Sequence, residues 1–241
     1  MKTFDINKNF SYEELSNYKK KILLLHGIRK DSVRREPETI KWIDSIDHGT
    51  FCDIGANVGV YSLVAAFNKG IKSVHAFEPM FSNFFGLTAN VARNNTSKIS
   101  PFNIALSNND EIVPFYFNRY KGRSGTDIGS ALHSILDKVG YDGKEFNSTF
   151  HMDVISCSFS SFYNHFNIPC PDYVKIDVDG KEDLVIDGMS DVIRDIREIM
   201  IEIDDINCNL IDKIVSFGFR VHNEWKHSKS SNVLLKNDNK N

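Results

Sequence analysis

The sequence predicts a single doubly wound α/β domain with a largely parallel sheet, and two observations support this fold class. The chain has 241 residues, of which 41% are hydrophobic and 25% are charged, as expected for one globular domain with a sizeable core. From Thr50 onward, short apolar runs alternate with amphipathic helical patterns, which is typical of consecutive βαβ units. We therefore expect an N-terminal helical cap or lid over residues 1–48 and the main domain over residues 49–241, with a loop and hairpin insertion at about 108–150.

The N-terminal segment is polar and is predicted to be helical in pieces. Ser11 is followed three positions later by Glu14, which is the spacing of a capping box at the start of a helix. We expect the segment to cover the main domain.

Five apolar runs are predicted to be strands. Val60, Leu63, Val64 and Phe67 follow the first run at i, i+3, i+4 and i+7, so they mark one face of an amphipathic helix that ends by Gly70. A second helix is expected over about 82–93. The predicted strands cover residues 50–54, 73–77, 99–106, 172–178 and 198–203.

The insertion and the C-terminus are predicted from turn signals. A short aromatic run at 111–117 predicts a hairpin that leaves the third strand. The Gly- and Ser-rich residues 118–130 favour a loop that covers the substrate, and a short helical pattern follows at about 131–139. At the C-terminus, a helix over 210–217 is followed by two runs, 219–225 and 232–235, which predict a closing antiparallel pair.

The sharpest motif is a glycine-bearing turn between the first strand and its helix. Gly55 and Gly59 allow a tight turn and a close backbone approach to a ligand. A dinucleotide site would need Gly-x-Gly-x-x-Gly, which the turn lacks. Asp53 would repel a diphosphate, whereas it is able to accept a hydrogen bond from an ammonium group. The turn therefore favours a cationic amino-acid moiety.

A carboxylate follows the second strand. Glu78 lies 19 residues beyond Gly59, close to the separation at which an acidic residue binds the ribose hydroxyls of an adenosine. An adenosine joined to an ammonium group describes S-adenosylmethionine. The alternative interpretation is a plain βα loop followed by a solvated strand end.

A third motif, Lys175 to Glu182, places acidic residues at the end of a later strand. Asp177 and Asp179 share one side of an extended strand near its carboxyl end, where open α/β sheets bind ligands. Either carboxylate could orient an acceptor, remove its proton, or hold a divalent metal such as Mg²⁺ together with Glu202, Asp204 and Asp205. The alternative is that Asp179 and Glu182 only favour the N-terminus of the next helix.

In these motifs the sequence resembles the FkbM family of S-adenosylmethionine-dependent methyltransferases, over roughly residues 36–204. The resemblance implies a seven-stranded class I methyltransferase fold, and methyl transfer commonly to a hydroxyl of a sugar or natural product. It also implies cofactor contacts from the turn after the first strand and from the end of the second. These implied contacts are Asp53, Gly55, Ala56, Asn57, Gly59, Val60, Tyr61, Glu78 and Pro79.

Three further positions are carried over from the resemblance. Glu36 is similar to an upstream residue near the cofactor, and Asn103 and Ala105 are similar to residues near the adenine. Two positions depart from the family pattern, because Asp179 replaces a usual Glu and Lys181 a usual small or apolar residue. Both departures affect the acceptor side of the expected site.

The resulting hypothesis is direct in-line transfer of a methyl group to a small-molecule or glycan hydroxyl, with Asp177 removing the proton. An NAD-dependent oxidoreductase and a noncatalytic methyltransferase-fold binding module are the alternatives. His133 and His151 border the expected loop and are minor candidates for substrate contact.

Composition restricts the partners and the compartment. The formal charge of −3 makes nucleic acid an unfavourable partner, and no apolar run approaches the ~18 residues of a membrane helix. The scattered cysteines Cys52, Cys157, Cys170 and Cys208 are expected to be reduced thiols of a cytoplasmic protein. The sequence leaves the oligomeric state and the metal requirement open.

Overall fold

A computed structural model describes residues 11–117, 127–131, 133–140, 143–148, 150–204, 209–228 and 230–240. The strands are β1 Tyr12–Glu14, β2 Leu23–Leu25, β3 Gly49–Ile54, β4 Ile71–Phe77, β5 Ile99–Phe102, β6 Ala105–Ser107, β7 Glu111–Tyr116, β8 Ser134–Ile135, β9 His151–Ser158, β10 Tyr173–Ile176, β11 Glu198–Asp204, β12 Phe219–Lys226 and β13 Ser230–Asn237. The helices are α1 Ser32–Arg35, α2 Pro37–Ser45, α3 Val60–Phe67, α4 Phe81–Asn94, α5 Phe159–His165, α6 Glu182–Asp187 and α7 Leu210–Ser216, with a 3₁₀ turn at Ile193–Asp195.

The main sheet has seven strands in the order β12-β13-β11-β10-β3-β4-β5. Its neighbours from β11 to β5 are parallel, whereas β13 runs antiparallel to both β11 and β12. The structure therefore confirms the predicted fold class, a doubly wound and mostly parallel sheet with an antiparallel C-terminal edge. In such a sheet the chain reverses its direction of winding between β3 and β10, which is where ligands bind.

Apolar side chains cover both faces of the sheet. On one face, Ile43 of α2 and Leu63 of α3 pack with Leu24 of the β1–β2 pair. On the other face, Phe159 of α5 and Ile186 of α6 pack against the strands. All five side chains are fully buried, and each contributes roughly 1.5–3 kcal/mol to folding. These two cores hold the strand ends that build the site.

The N-terminal segment differs from its local prediction. Residues 12–14 form a strand rather than a helical turn, so the capping box predicted at Ser11 is wrong. Strand β1 pairs antiparallel with β2, and Asn90 and Asn94 of α4 accept hydrogen bonds from backbone N–H groups of β2 at 2.7 and 2.8 Å. Because these long-range partners satisfy the backbone of the segment, the local helical signal is overridden. Two helices, α1 and α2, then follow before the sheet begins.

The insertion also differs from its prediction. The predicted strand at 99–106 is divided, because β5 joins the main sheet and β6 joins a second sheet of order β6-β9-β7-β8. Strand β7 forms as expected, but β9 lies between β7 and β6, so the hairpin with the third strand is wrong. The helix predicted at 131–139 is also wrong, since Ile135 pairs with Phe115 in the β8–β7 ladder. Most of the predicted loop, residues 118–126, lies outside the described residues.

Candidate active site

A cavity of about 330 Å³ opens at the carboxyl ends of β3, β4, β10 and β11, within the size range of small-molecule sites. Most of the predicted site residues line it: Glu36, Gly55, Ala56, Asn57, Val60, Tyr61, Glu78, Pro79, Ala105, Asp177 and Asp179. Three predicted residues, Asp53, Gly59 and Asn103, do not line it. The cavity also contacts Arg29, Ser32, Arg35, Asn83, Ser130, Lys181 and Glu202. Of these, the sequence indicates Glu202 as a metal ligand, Lys181 as an acceptor-side departure from the family pattern, and Ser130 as part of the covering loop.

The turn after β3 requires glycine at its first position. Gly55 has a φ of 79°, and a Cβ there would lie 1.8 Å from the backbone oxygen of Asp177. The N–H groups of Gly55 and Ala56 both donate to the backbone oxygen of Phe77, at 3.0 and 2.9 Å. The absence of a side chain thus lets the ends of β3, β4 and β10 come together around the cavity.

Glu78 is held rigidly at the end of β4. Its Oε2 accepts a hydrogen bond from the N–H of Asn57 at 2.7 Å, and its Oε1 accepts one from the N–H of Met80 at 2.8 Å. Burial raises the pKa of Glu78 to about 7, with a smaller contribution from the charge of Asp179. Because each carboxyl oxygen can accept a second hydrogen bond, Glu78 can also bind ligand hydroxyls from this fixed position.

Asn103 acts on the same strand end from outside the cavity. Its side-chain amide donates to the backbone oxygens of Glu78 and Pro79, at 2.8 and 3.0 Å. Asn103, predicted to lie near the adenine, therefore fixes the backbone beside Glu78, and the residues that follow it, Ile104, Ala105 and Leu106, line the cavity.

Asp53 does not occupy its predicted place. Its side chain is fully buried below the turn and accepts a hydrogen bond from the hydroxyl of Ser62 at 2.5 Å. Burial raises the pKa of this carboxyl, against the opposing effect of Lys175. Asp53 does not line the cavity, and its hydrogen bond to a ligand ammonium stays a prediction. Asp53 instead faces Lys175, its partner across β3 and β10.

Lys175 carries a buried positive charge among the carboxyl groups of Asp177, Glu36 and Asp53. Its Nζ forms an ion pair with Asp177 Oδ2 at 2.8 Å and lies 4.8 Å from the ring centroid of Tyr61. Burial acts to lower the pKa of Lys175, but the charges of Asp177, Glu36 and Asp53 outweigh it and raise that pKa. Burial alone would raise the pKa of Asp177, yet the ion pair with Lys175 lowers it. Asp177 is therefore an ionised carboxylate.

Glu202 and Glu36 line the cavity together with Asp177, and we call this part its carboxyl-rich end. In contrast to Asp177, both have raised pKa values. Glu202 Oε1 accepts a hydrogen bond from the Ser230 hydroxyl at 2.5 Å. The charge of Asp177 and burial together raise the pKa of Glu202 to about 9, and burial also raises the pKa of Glu36. Glu36 lies at the break between α1 and α2, because Pro37 disfavours a helical conformation in the preceding residue.

Asp179 and Lys181, the two departures from the family pattern, both line the cavity. Asp179 has a φ of 57°, a left-handed conformation that is uncommon outside glycine. Lys181 Nζ bonds both carboxyl oxygens of Asp137 at 2.9 Å. Glu182 accepts hydrogen bonds from the N–H groups of Val178 and Gly180, so its side chain fixes the turn that precedes α6.

Gly129 and Ser130, at the described end of the predicted covering loop, contact the turn after β3 and helix α4. The backbone oxygen of Ser130 accepts hydrogen bonds from the amides of Asn57 and Asn83, at 2.8 and 2.9 Å. Gly129 N–H donates to Asn83 Oδ1 at 2.7 Å. His133 lines the cavity, whereas His151 is exposed beside Tyr116 on the second sheet.

Comparison with known proteins identifies the family. Residues 53–221 match the family described as Methyltransferase FkbM domain. The chain belongs to this FkbM family. No curated protein matches it at the sequence level. Among solved structures, the putative methyltransferase yhhF from Escherichia coli has a TM-score of 0.52 at 10% identity, over 94% of this chain and 98% of that one. TrmK from M. capricolum, in complex with S-adenosyl-homocysteine, has a TM-score of 0.50 at 12% identity, over 83% and 67% of the two chains.

The FkbM match and the shared class I methyltransferase fold support methyl transfer from S-adenosylmethionine as the general activity. The donor set of this cavity fits that group. Glu78 suits ribose hydroxyls, and apolar side chains such as Phe77 and Leu106 suit an adenine ring. The ionised Asp177 suits a cationic ligand.

The Mg²⁺ hypothesis finds no support in the described residues. Within that part of the chain, no group of three or more His, Cys, Asp or Glu side chains is arranged to hold a metal ion. Asp205, one of the predicted ligands, lies outside it.

The structure describes three of the four cysteines. Cys52, Cys157 and Cys170 are free thiols, and Cys208 lies outside the described residues. No helix among the described residues combines the length and the apolar character needed to cross a bilayer.

Proposed function

We propose that this FkbM protein is an O-methyltransferase that acts on a hydroxyl of a sugar or another small molecule. One observation carries the proposal: a single cavity has a fixed carboxyl group, Glu78, at the end of β4 and a carboxyl-rich end formed by Asp177 and Glu202. The first can bind the adenosine hydroxyls of the cofactor. The second can bind its cationic part and the hydroxyl that receives the methyl group.

The protein's part in this reaction is mainly orientation. Bound S-adenosylmethionine supplies a methyl group on a positively charged sulfur, which is reactive without further activation. Glu78 and the turn at Gly55 fix one end of the cavity by backbone hydrogen bonds, so little reorganisation is required when a ligand enters. Holding two reactants in line within a small cavity supplies a large share of the rate enhancement.

Asp177 is suited to orient the acceptor. Its carboxylate is ionised and pinned by Lys175, so it can accept a hydrogen bond from a hydroxyl at a fixed position. The same ion pair lowers its basicity, so orientation suits it better than full proton removal. A compact cavity and a formal charge of −3 favour a small acceptor over a polyanion such as nucleic acid.

The proposal is tested by isotope labelling. The purified protein is incubated with S-adenosylmethionine that carries a deuterated methyl group and with extracts of small molecules and glycans. We expect mass spectrometry to find a product that gains one labelled methyl group on oxygen. Asp177→Asn should lower the labelling rate about 100-fold, because the acceptor hydroxyl is no longer held in line. The matched control is Asp153→Asn, an exposed residue of β9, which should leave the rate unchanged.

Two outcomes would contradict the proposal. Binding of the cofactor without transfer to any offered acceptor would favour the noncatalytic binding module. Calorimetric binding of NAD in place of S-adenosylmethionine would favour the oxidoreductase.

A further inference from the structure

Acidic groups outnumber basic groups at the carboxyl-rich end of the cavity. Glu36, Asp177 and Glu202 line it, and Asp53 lies directly behind it. The buried cation among them is Lys175, which pairs with Asp177. Arg29 also acts on Asp177, but these four carboxyl groups still outnumber the two cations, so in a low dielectric at least one carboxyl group retains its proton.

The geometry identifies Glu202 as the group that retains this proton. It extends from β11, next to β10, and is hydrogen-bonded both to the neutral hydroxyl of Ser230 and to the carboxylate of Asp177. Asp177 has the contact with Lys175 and is stabilised as an anion. The pKa of Glu202, raised to about 9 by the charge of Asp177 and by burial, agrees with this assignment.

The groups that act on Glu202 and Asp177 come from several elements packed around them. The charge of Lys175, on β10, lowers the pKa of Glu202, and so does the hydrogen bond from Ser230 on β13. The charge of Arg29, in the segment before α1, lowers the pKa of Asp177. The other ionisable groups of the cluster and of the cavity wall are Glu36 with Glu38 behind it, Tyr61 on α3, Asp53 on β3, and Arg35, Asp179 and Lys181.

We propose that Glu202 releases its proton when the positively charged cofactor enters the cavity, and that it then receives the proton of the acceptor hydroxyl during methyl transfer. This inference rests on the proposed function. A sulfonium beside the cluster supplies the missing positive charge, which stabilises the carboxylate form of Glu202. Once the sulfur becomes neutral, that stabilisation ends and the carboxylate becomes a stronger base.

The proton and charge balance is complete. The carbon–sulfur bond of the sulfonium breaks and a carbon–oxygen bond forms, while the hydroxyl proton moves to a carboxyl oxygen of Glu202. One positive charge on sulfur and one negative charge on Glu202 are thereby lost together. Asp177 and Lys175 keep their ion pair throughout and hold the acceptor oxygen near Glu202.

Calorimetry measures this coupling without turnover. Titrating the protein with S-adenosylmethionine in buffers of different ionisation enthalpy gives the number of protons released on binding. The ligand amine contributes equally in wild type and in Glu202→Gln, so the difference between the two proteins isolates Glu202. At about pH 7, we expect binding of S-adenosylmethionine to release about one proton more from wild type than from Glu202→Gln. Binding of S-adenosyl-homocysteine, whose sulfur is neutral, should release equal numbers of protons from the two proteins.

Two further variants complete the design. Glu224→Gln, on the exposed face of β12, also loses a carboxyl group that accepts a serine hydroxyl hydrogen bond, and it should behave as wild type. Ser230→Ala removes a hydrogen bond that lowers the pKa of Glu202, so it should shift proton release to higher pH. This second variant also serves if Glu202→Gln fails to fold.

The outcomes separate this inference from the proposed function. Tight binding of S-adenosylmethionine with equal proton counts in wild type and Glu202→Gln, or with no shift in Ser230→Ala, overturns the role of Glu202 alone. Failure of wild type to bind S-adenosylmethionine overturns both. A difference of about one proton, seen with S-adenosylmethionine and not with S-adenosyl-homocysteine, supports the inference.

Discussion

At the scale of single residues, the site depends on which neighbours each carboxyl group has. Asp177 and Glu202 extend from the ends of adjacent parallel strands into one cavity, and Asp177 is the one that pairs with Lys175 at 2.8 Å. The pKa of Asp177 is consequently lowered and that of Glu202 is raised to about 9. Two carboxyl groups with separated pKa values can divide the tasks of orienting a hydroxyl and holding its proton.

Glu78 provides a test of the cofactor end. In Glu78→Gln, an NH₂ group would replace one of the two oxygens that accept from Asn57 and Met80, so two donors would face each other. We expect a loss of roughly 1–3 kcal/mol in the free energy of unfolding and at least about tenfold weaker S-adenosylmethionine binding. Chemical denaturation and calorimetry measure the two effects.

Glu111→Gln is the matched control for this experiment. Glu111 is exposed at the start of β7, so its replacement should change neither quantity. If Glu78→Gln retained wild-type affinity, Glu78 would not be the group that binds the ribose.

Short local motifs predicted which strand ends meet at the cavity, whereas contacts between distant parts of the chain were missed. Glu78 and the turn at Gly55 were predictable because a short local motif determines both their backbone and their place at a strand end. The burial of Asp53 was not, because it depends on Ser62 and on Lys175 of a strand more than 100 residues away. Arg29 and Asn83 carried no local signal, since their place at the cavity depends on tertiary packing.

At the scale of elements, the parallel strands were predictable and the short antiparallel ones were not. Strands β3, β4 and β11 were found from short apolar runs, because most side chains of a parallel strand inside the sheet are buried. Strands β1 and β8 are only 3 and 2 residues long and are defined by distant partners. A helical pattern at Ser11 or near residue 135 therefore gave the wrong element, whereas the long amphipathic helices α3 and α4 were found.

Gly55 tests how closely the elements must approach. In Gly55→Ala, the new methyl group would lie 1.8 Å from the backbone oxygen of Asp177, so the ends of β3 and β10 would have to separate. We expect a loss of at least about 3 kcal/mol in the free energy of unfolding, or failure to fold. Urea denaturation followed by circular dichroism measures this change.

Gly218→Ala is the matched control for backbone conformation alone. Gly218 also has a positive φ, 99°, but a Cβ there meets only the end of the Asn239 side chain, which can move. We expect a loss of about 1 kcal/mol from the left-handed conformation. Equal losses in the two variants would contradict the close approach at Gly55.

At the scale of the whole molecule, buried ionisable groups make stability depend on pH in a way that the net charge does not reveal. Glu202, whose pKa is raised to about 9, binds a proton in the folded state that the unfolded chain has lost above its ordinary value of about 4.5. This group therefore destabilises the fold as pH rises between those values. His133 acts in the opposite direction, since burial lowers its pKa to about 4.

His133 lowers the stability of the fold at acidic pH. Its ring is packed in the cavity wall against Phe115 and Phe117, with centroids 5.7 and 5.8 Å apart, and stays neutral where the unfolded imidazole would be charged. Its stabilising contribution is complete above about pH 6.5 and is lost as pH falls to about 4, by roughly 3 kcal/mol.

In His133→Gln, which cannot titrate, this acid-induced loss should disappear. Urea denaturation of both proteins across that range measures the difference. The control His151→Gln changes an exposed histidine of the same sheet and should keep the wild-type profile. Parallel profiles for wild type and His133→Gln would show that burial of this imidazole does not control the acid sensitivity of the fold.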